Sequence, residues 1–243
     1  KVTACLVNPD QLFVEKEIKK EDKVNGLSVI TSLYWNRINM FSRRSDLLNF
    51  SQFAGRRIGT FGGAAASLDA MIALTGVKPA QVINYDSRQQ LAQQHMVADY
   101  EAGRLDAIVG IGGGEIPWAK KLASGSHPVA FDMWDKVKHM SIDNGYFYRM
   151  KPLSYENMEG SVMTLAVRTI LVAARPYGPD DPETKAIQKF FADFERELPR
   201  VKVKAKVDGP YRTDWLEVSA MNEPSWKPWF QYLRKPQAQN KKK

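Results

Sequence analysis

Between Gly55 and Gly125 the chain runs twice through a strand, a loop of small residues and a helix, first as GRRIGTFGGAAASLDAMIALTG and then as YEAGRLDAIVGIGGGEIPWAKKLASG. Two such units with glycine-rich turns specify an α/β sheet whose loops gather at strand ends, where sheets of this kind hold small ligands. No acid, base and nucleophile stand at catalytic spacing beside them. His95, His127 and His139 are scattered, and the chain is expected not to be an enzyme.

The punctuation of this region is regular. Arg57 to Thr60 reads as a strand and Phe61 to Ala66 as a loop. Ser67 then caps a helix that places Leu68, Met71, Ile72 and Thr75 on one face until Gly76 ends it. Val82 to Tyr85 is the next strand, and Ser87 to Ala102 a helix with Ala92, Met96 and Tyr100 at i, i+4 spacing. Leu105 to Ile111 is apolar apart from Asp106, which suits a central strand with an acceptor at its end. A turn at Gly112 to Gly114 leads to a helix near Pro117, and Val129 to Met133 reads as the last strand of the region. Gly110, Gly112, Gly113 and Gly114 lack the third glycine of a dinucleotide loop, and Glu115 would repel a pyrophosphate, so the turn reads as structural.

Outside it, Val2 to Val7 reads as a buried strand ended by Asn8, Pro9 and Asp10, followed by a short charged helix or loop over Gln11 to Lys19. Leu27 to Leu33 and Ile38 to Phe41 read as two strands joined through Tyr34, Trp35 and Asn36, with a polar break at Arg43 to Asp46. Ser161 to Ala173 is a long β-rich run. Asp181, Pro182 and Glu183 start a helix whose Ile187, Phe190, Phe191, Phe194 and Leu198 are spaced to pack on a sheet. The final segment carries Trp215, Trp226 and Trp229, half of the six tryptophans, and so aromatic a stretch is expected to pack against something.

With 243 residues, 44% of them hydrophobic, the chain suffices for one large domain or two lobes. Its one cysteine, Cys5, excludes an internal disulfide and a cysteine metal site, and reads as a buried bystander. A formal net charge of +8 suits an anionic partner, but much of it lies in lysine clusters of the kind that solvate a surface, and no nucleic-acid motif accompanies it. Neither a metal nor a cofactor is expected, nor is a nucleic-acid partner.

Taken in order, these stretches resemble the solute receptors of TRAP transporters, in the TAXI group of periplasmic binding proteins. TACLVNPD is similar to the family's strand and its Gln-Ser-Asp-like turn, and SLYWNRINMFSRRSD to its Leu-Tyr-Pro-Glu segment and crossing strand. GRRIGTFGGAAAS stands where the family has a Gly-Ser-Gly-Thr loop. AGRLDAIVGIGGGEIP matches its Gly-x-Ile-Asp-Ala strand, and MKPLSYENMEGSVMTLAVRTILV its returning strand. The resemblance implies a two-lobed, type II periplasmic-binding-protein-like α/β fold. Residues 1–43 and 145–204 would form lobe 1, residues 44–144 lobe 2, and residues 205–243 a Trp-rich basic extension. The family's first strand and glycine-rich loop have no counterpart, so lobe 1 is expected to be incomplete.

The resemblance also implies a small carboxylate-bearing solute between the lobes and membrane transporter subunits as partners, in the periplasm. Backbone N–H groups at a helix start bind anions with help from the helix dipole, which makes Gly63, Ala64, Ala65 and Ser67 the candidate cradle. Asn8, Tyr34 and Tyr155 are the candidates from the opposite lobe. Methyl groups replacing the family's hydroxyl and glycine narrow access to those donors. The basic charge and aromatic tail therefore leave a second expectation open: a binding-protein fold serving as an accessory subunit of a membrane or organelle complex, docked through its C-terminal extension.

Overall fold

A computed structural model describes residues 4–20, 28–113, 116–142, 148–156, 158, 160–173, 182–207, 215, 216 and 218. It is a mixed α/β fold. The elements in chain order are β1 (Ala4–Val7), α1 (Pro9–Phe13) running into a π-helical turn (Val14–Ile18), β2 (Ser28–Ser42), a 3-10 turn (Phe50–Phe53), β3 (Arg57–Phe61), α2 (Ala64–Thr75) and β4 (Gln81–Tyr85). They continue with α3 (Ala92–Glu101), β5 (Ala107–Gly112), α4 (Pro117–Leu122), β6 (His127–Pro128), α5 (Trp134–Ile142), β7 (Tyr148–Leu153), β8 (Val162–Ala173) and α6 (Pro182–Val207).

All eight strands belong to one sheet in the order β1-β8-β2-β5-β3-β4, with β6 on β2 and β7 on β8. β3 is parallel to both β4 and β5, as βα units require, and β1, β2, β7 and β8 pair antiparallel. The two long strands join these halves: β2 pairs with β8 along its first part and with β5 from Arg37 to Ser42. One core cluster runs across the join, from Leu12, Ile38, Leu165 and Val167 to Phe53, Ile58, Leu68 and Met71.

Local sequence accounts for the βα units. Leu68, Met71 and Thr75 of α2 are buried, Ile72 packs beside them, and Gly76 ends the helix at φ 77°, a left-handed cap that other residues adopt only under strain. Ala92, Met96 and Tyr100 are the buried face of α3. That helix starts later than expected because Asp86 accepts the Arg88 N–H at 3.0 Å in a turn of its own. Asp106 does serve as a strand-end acceptor, taking the Arg57 backbone N–H at 2.9 Å.

Four expectations are corrected. Tyr34 to Asn36 do not separate two strands: β2 is continuous, and its irregularity is absorbed as register shifts between Val29 and Thr31 and between Ser32 and Trp35. Residues 129–133 do not form a regular strand. Pro128 has no N–H for the ladder, and the next amides go to three different neighbours, Val129 to Met40, Ala130 to Leu48 and Phe131 to Met163. Cys5 is exposed, not buried, because β1 is an edge strand on which Cys5 and Leu6, on opposite faces, are both uncovered. Finally, Ser67 does not cap α2. Three alanines of high helix propensity carry the helix back to Ala64, so Gly63 is the N-cap and Ser67 lies inside the first turns.

α6 begins at Pro182 as expected. Its Phe194 and Leu198 pack with Leu33 and Tyr34 of β2 and with Trp215 and Val218, while Phe190 is 48% exposed. The side chains of Ile187 and Phe191, and the whole of Glu115, Trp226 and Trp229, lie outside the described residues.

Candidate functional site

The parallel strands β3 and β5 end at Phe61 and Gly112, and the loop after β3 leads into α2. Facing that helix start is α1. Pro9 at its first position and Asn8 before it are a helix-start pair: Pro has no N–H to leave unpaired there. The Asn8 N–H donates to Gln11 Oε1 at 3.2 Å, and Gln11 Nε2 reaches across to the Gly63 carbonyl at 3.4 Å. A Cβ on Gly63 would stand 3.1 Å from that Gln11 nitrogen, so the glycine sets how closely α1 approaches α2.

Asp10 is the next side chain along, and it has no exposed surface. Its carboxylate faces the Ser67 hydroxyl of α2 and the Tyr148 phenol of β7, both equally buried, without full hydrogen-bond geometry to either oxygen. Burial pushes the Asp10 carboxyl up to about 6, against the opposing pull of Ser67, nearby backbone N–H groups and Tyr148. The Tyr148 phenol is pushed well above its ordinary value by burial, and further by the Asp10 charge and hydrogen bond. Asp69, on the same helix, is held above its ordinary value by partial desolvation, against the pull of Lys19 just after the π-helical turn. Ser67, in the first turns of α2, thus already faces a carboxyl group from within the chain.

Of the sequence-predicted residues, Gly63, Ala64, Ala65 and Ser67 come together here. Gly63 is exposed, Ala65 half-buried, and Ala64 and Ser67 have no exposed surface. Asn8 is adjacent but turned into a buried network: its Oδ1 accepts from Asn36 Nδ2 and Thr169 Oγ1, each at 3.3 Å. Tyr155 lies elsewhere, among Phe41, Trp118 and Leu153, donating to Asn39 Oδ1 at 2.6 Å and accepting the Ile116 N–H at 3.3 Å. Tyr34 packs edge-on against Trp215, ring centroids 5.7 Å apart.

The sequence reading missed Asp10, Gln11 and Tyr148 as members of this cluster. For Asp10 a signal was present: in Asn8-Pro9-Asp10 the proline marks a helix start as well as a turn, which aims the next two side chains at whatever faces the helix. Arg37, at the end of the β2–β5 pairing, binds the Pro152 carbonyl at 3.0 Å and the Gly113 carbonyl, tying the loop after β5 to β7. Among the described residues no group of three or more histidine, cysteine or carboxylate side chains is placed to hold a metal ion.

No family model matches the chain, and no curated protein does. Solved structures similar to it include the substrate-binding protein of an amino acid ABC transporter, at 13% identity and TM-score 0.41 over 84% of this chain and 70% of that one. A putative L-cystine ABC transporter protein from Listeria monocytogenes aligns at 14% identity and TM-score 0.40 over 81% and 67%. Tv2483 bound to L-arginine aligns at 12% identity and TM-score 0.39 over 85% of this chain, which spans 64% of its length.

Proposed function

We propose that this chain is a non-catalytic, binding-protein-type module whose ligand cradle is filled by its own Asp10, and that it serves as an accessory subunit of a larger membrane or organelle complex. The observation that carries this reading is the burial of Asp10 against Ser67: where a receptor of this kind would hold a solute's carboxylate, the chain supplies one. The core cluster continuous from Leu12 and Val167 to Leu68 and Met71 supports it, since a hinged cleft needs a wettable seam between its lobes. So does Trp215, which brings the C-terminal extension onto Tyr34 of β2.

A second reading is a receptor for a small carboxylate solute, working in the periplasm with a TRAP-type transporter. It is favoured by the exposed N-cap Gly63 and the long Gln11 contact across it, a seam that a solute carboxylate would compete to open. The test is calorimetric titration of the purified chain with amino acids and small dicarboxylates, alongside native mass spectrometry of the protein isolated gently from its source. The accessory reading expects no binding and a stoichiometric assembly. Submillimolar binding that Gly63→Leu abolishes would sink it in favour of the receptor.

A further inference from the structure

We propose that the chain carries a second site, for a small phosphate monoester, in a cavity of about 300 Å³ lined by Arg43, Tyr100, Glu101, Lys121, Ser124 and Ser126, on the side of the sheet covered by α3 and α4. It is separate from the α1–α2 seam and independent of the function proposed above. The volume is at the lower end of small-molecule sites, enough for a phosphate with a few carbons.

Two cations from separate elements meet there. Arg43 follows the end of β2 and spends only Nη1, on the carbonyls of Tyr100 (2.8 Å) and Glu101 (2.5 Å) at the end of α3. This anchors the guanidinium beside the cavity and leaves Nε and Nη2 without acceptors among the described residues. Lys121, in the last turn of α4, pairs with no described carboxylate. Glu101 is the only carboxylate among the described residues of the lining, and those residues together carry net positive charge.

The third component is buried and polar. Tyr100 is 1% exposed, and its hydroxyl finds no partner at full hydrogen-bond geometry, though it lies beside the Ser126 hydroxyl. Burial raises the phenol to about 12, so it stays a donor at any physiological pH. Buried polar groups are nearly always satisfied by protein, water or ligand. An arginine, a lysine, Ser124 and Ser126, drawn from separate segments into one lining, suit a tetrahedral oxyanion with three acceptor oxygens better than a flat carboxylate.

The experiment is amide NMR of the full chain titrated with glycerol phosphate, with inorganic phosphate, and with sodium chloride at matched ionic strength. Glycerol phosphate should shift the amides of Ala123 to Ser126 saturably and chloride should not. Lys121→Gln, at an exposed position with no carboxylate partner among the described residues, should weaken binding about tenfold, the loss of one charge-assisted contact. Tyr100→Phe should weaken it with the remaining spectrum unchanged. Shifts from inorganic phosphate alone, shifts reproduced by chloride, or an unchanged affinity in Lys121→Gln would each overturn the proposal.

Discussion

The Asp10 carboxylate and the Ser67 hydroxyl face each other between α1 and α2, and neither side chain has any surface in contact with solvent. A hydroxyl and the positive end of a helix both favour a negative charge, yet burial outweighs them.

The consequence is a stability that depends on pH. Asp10 titrates near 3.8 in the unfolded chain and at about 6 in the fold, so between these values the folded state binds more protons than the unfolded one. Stability then falls as pH rises from about 4 to about 6, by on the order of 2 to 3 kcal/mol for this group. Asp10→Asn should flatten that part of the profile and stabilise the protein at pH 7 by a similar amount. Urea unfolding of both proteins at pH 4, 5, 6 and 7 checks it; parallel profiles would mean that Asp10 is hydrated.

Gly110 sits in the middle of β5, where a Cβ would run into the indole of Trp118 from α4. Its role is close packing between sheet and helix. Gly110→Ala should cost about 1 to 3 kcal/mol by overpacking, and combining it with Trp118→Leu should recover part of the loss. A double-mutant cycle by thermal unfolding measures the coupling. Additive costs would show that the ring is free to move aside.

Gly76 and the i, i+4 spacing of Ala92, Met96 and Tyr100 are local signals, and the end of α2 and the buried face of α3 formed as expected, while the starts of both helices did not. Pairing between residues far apart in the chain left no such mark. Nothing in Cys5 and its apolar neighbours says that β1 lies at a sheet edge, since an apolar run reads the same whether its faces are covered or open. Asp10 and Ser67 are 57 positions apart, and their meeting depends on how α1 lies across α2. Tyr155 was singled out by its position in the family's pattern, while the residues it bonds to, Asn39 and Ile116, lie outside its own segment and leave no mark in it.

Asp106 joins β5 to β3 by accepting the Arg57 backbone N–H and its guanidinium. Burial pushes its carboxyl up, but the side-chain and backbone hydrogen bonds from Arg57, with the arginine charges, outweigh it and leave the group below its ordinary value. A carboxyl lowered in the fold adds stability above its unfolded value, and that stability is lost as pH falls toward its folded value. Because the Arg57 side chain is 44% exposed, the ion pair is screened. Asp106→Asn should therefore cost only about 1 kcal/mol at pH 7 and less at pH 3. Equal costs at both pH values would assign the effect to the backbone contact.

Tyr155 is 5% exposed and bridges Asn39 on β2 to the Ile116 N–H at the start of α4. Asn39 has no exposed surface, and its Nδ2 is already committed to the Arg37 carbonyl at 2.9 Å, so its Oδ1 depends on the phenol. Tyr155→Phe keeps the ring against Phe41, 5.8 Å between centroids, but strands one buried acceptor and one backbone donor. The expected cost is about 1 to 3 kcal/mol in urea unfolding, with faster amide exchange at Ile116. Were Tyr155 a ligand contact instead, the phenylalanine variant would keep its stability and lose affinity for whichever solute the titration finds. The two measurements on one variant therefore separate a structural bridge from a binding residue.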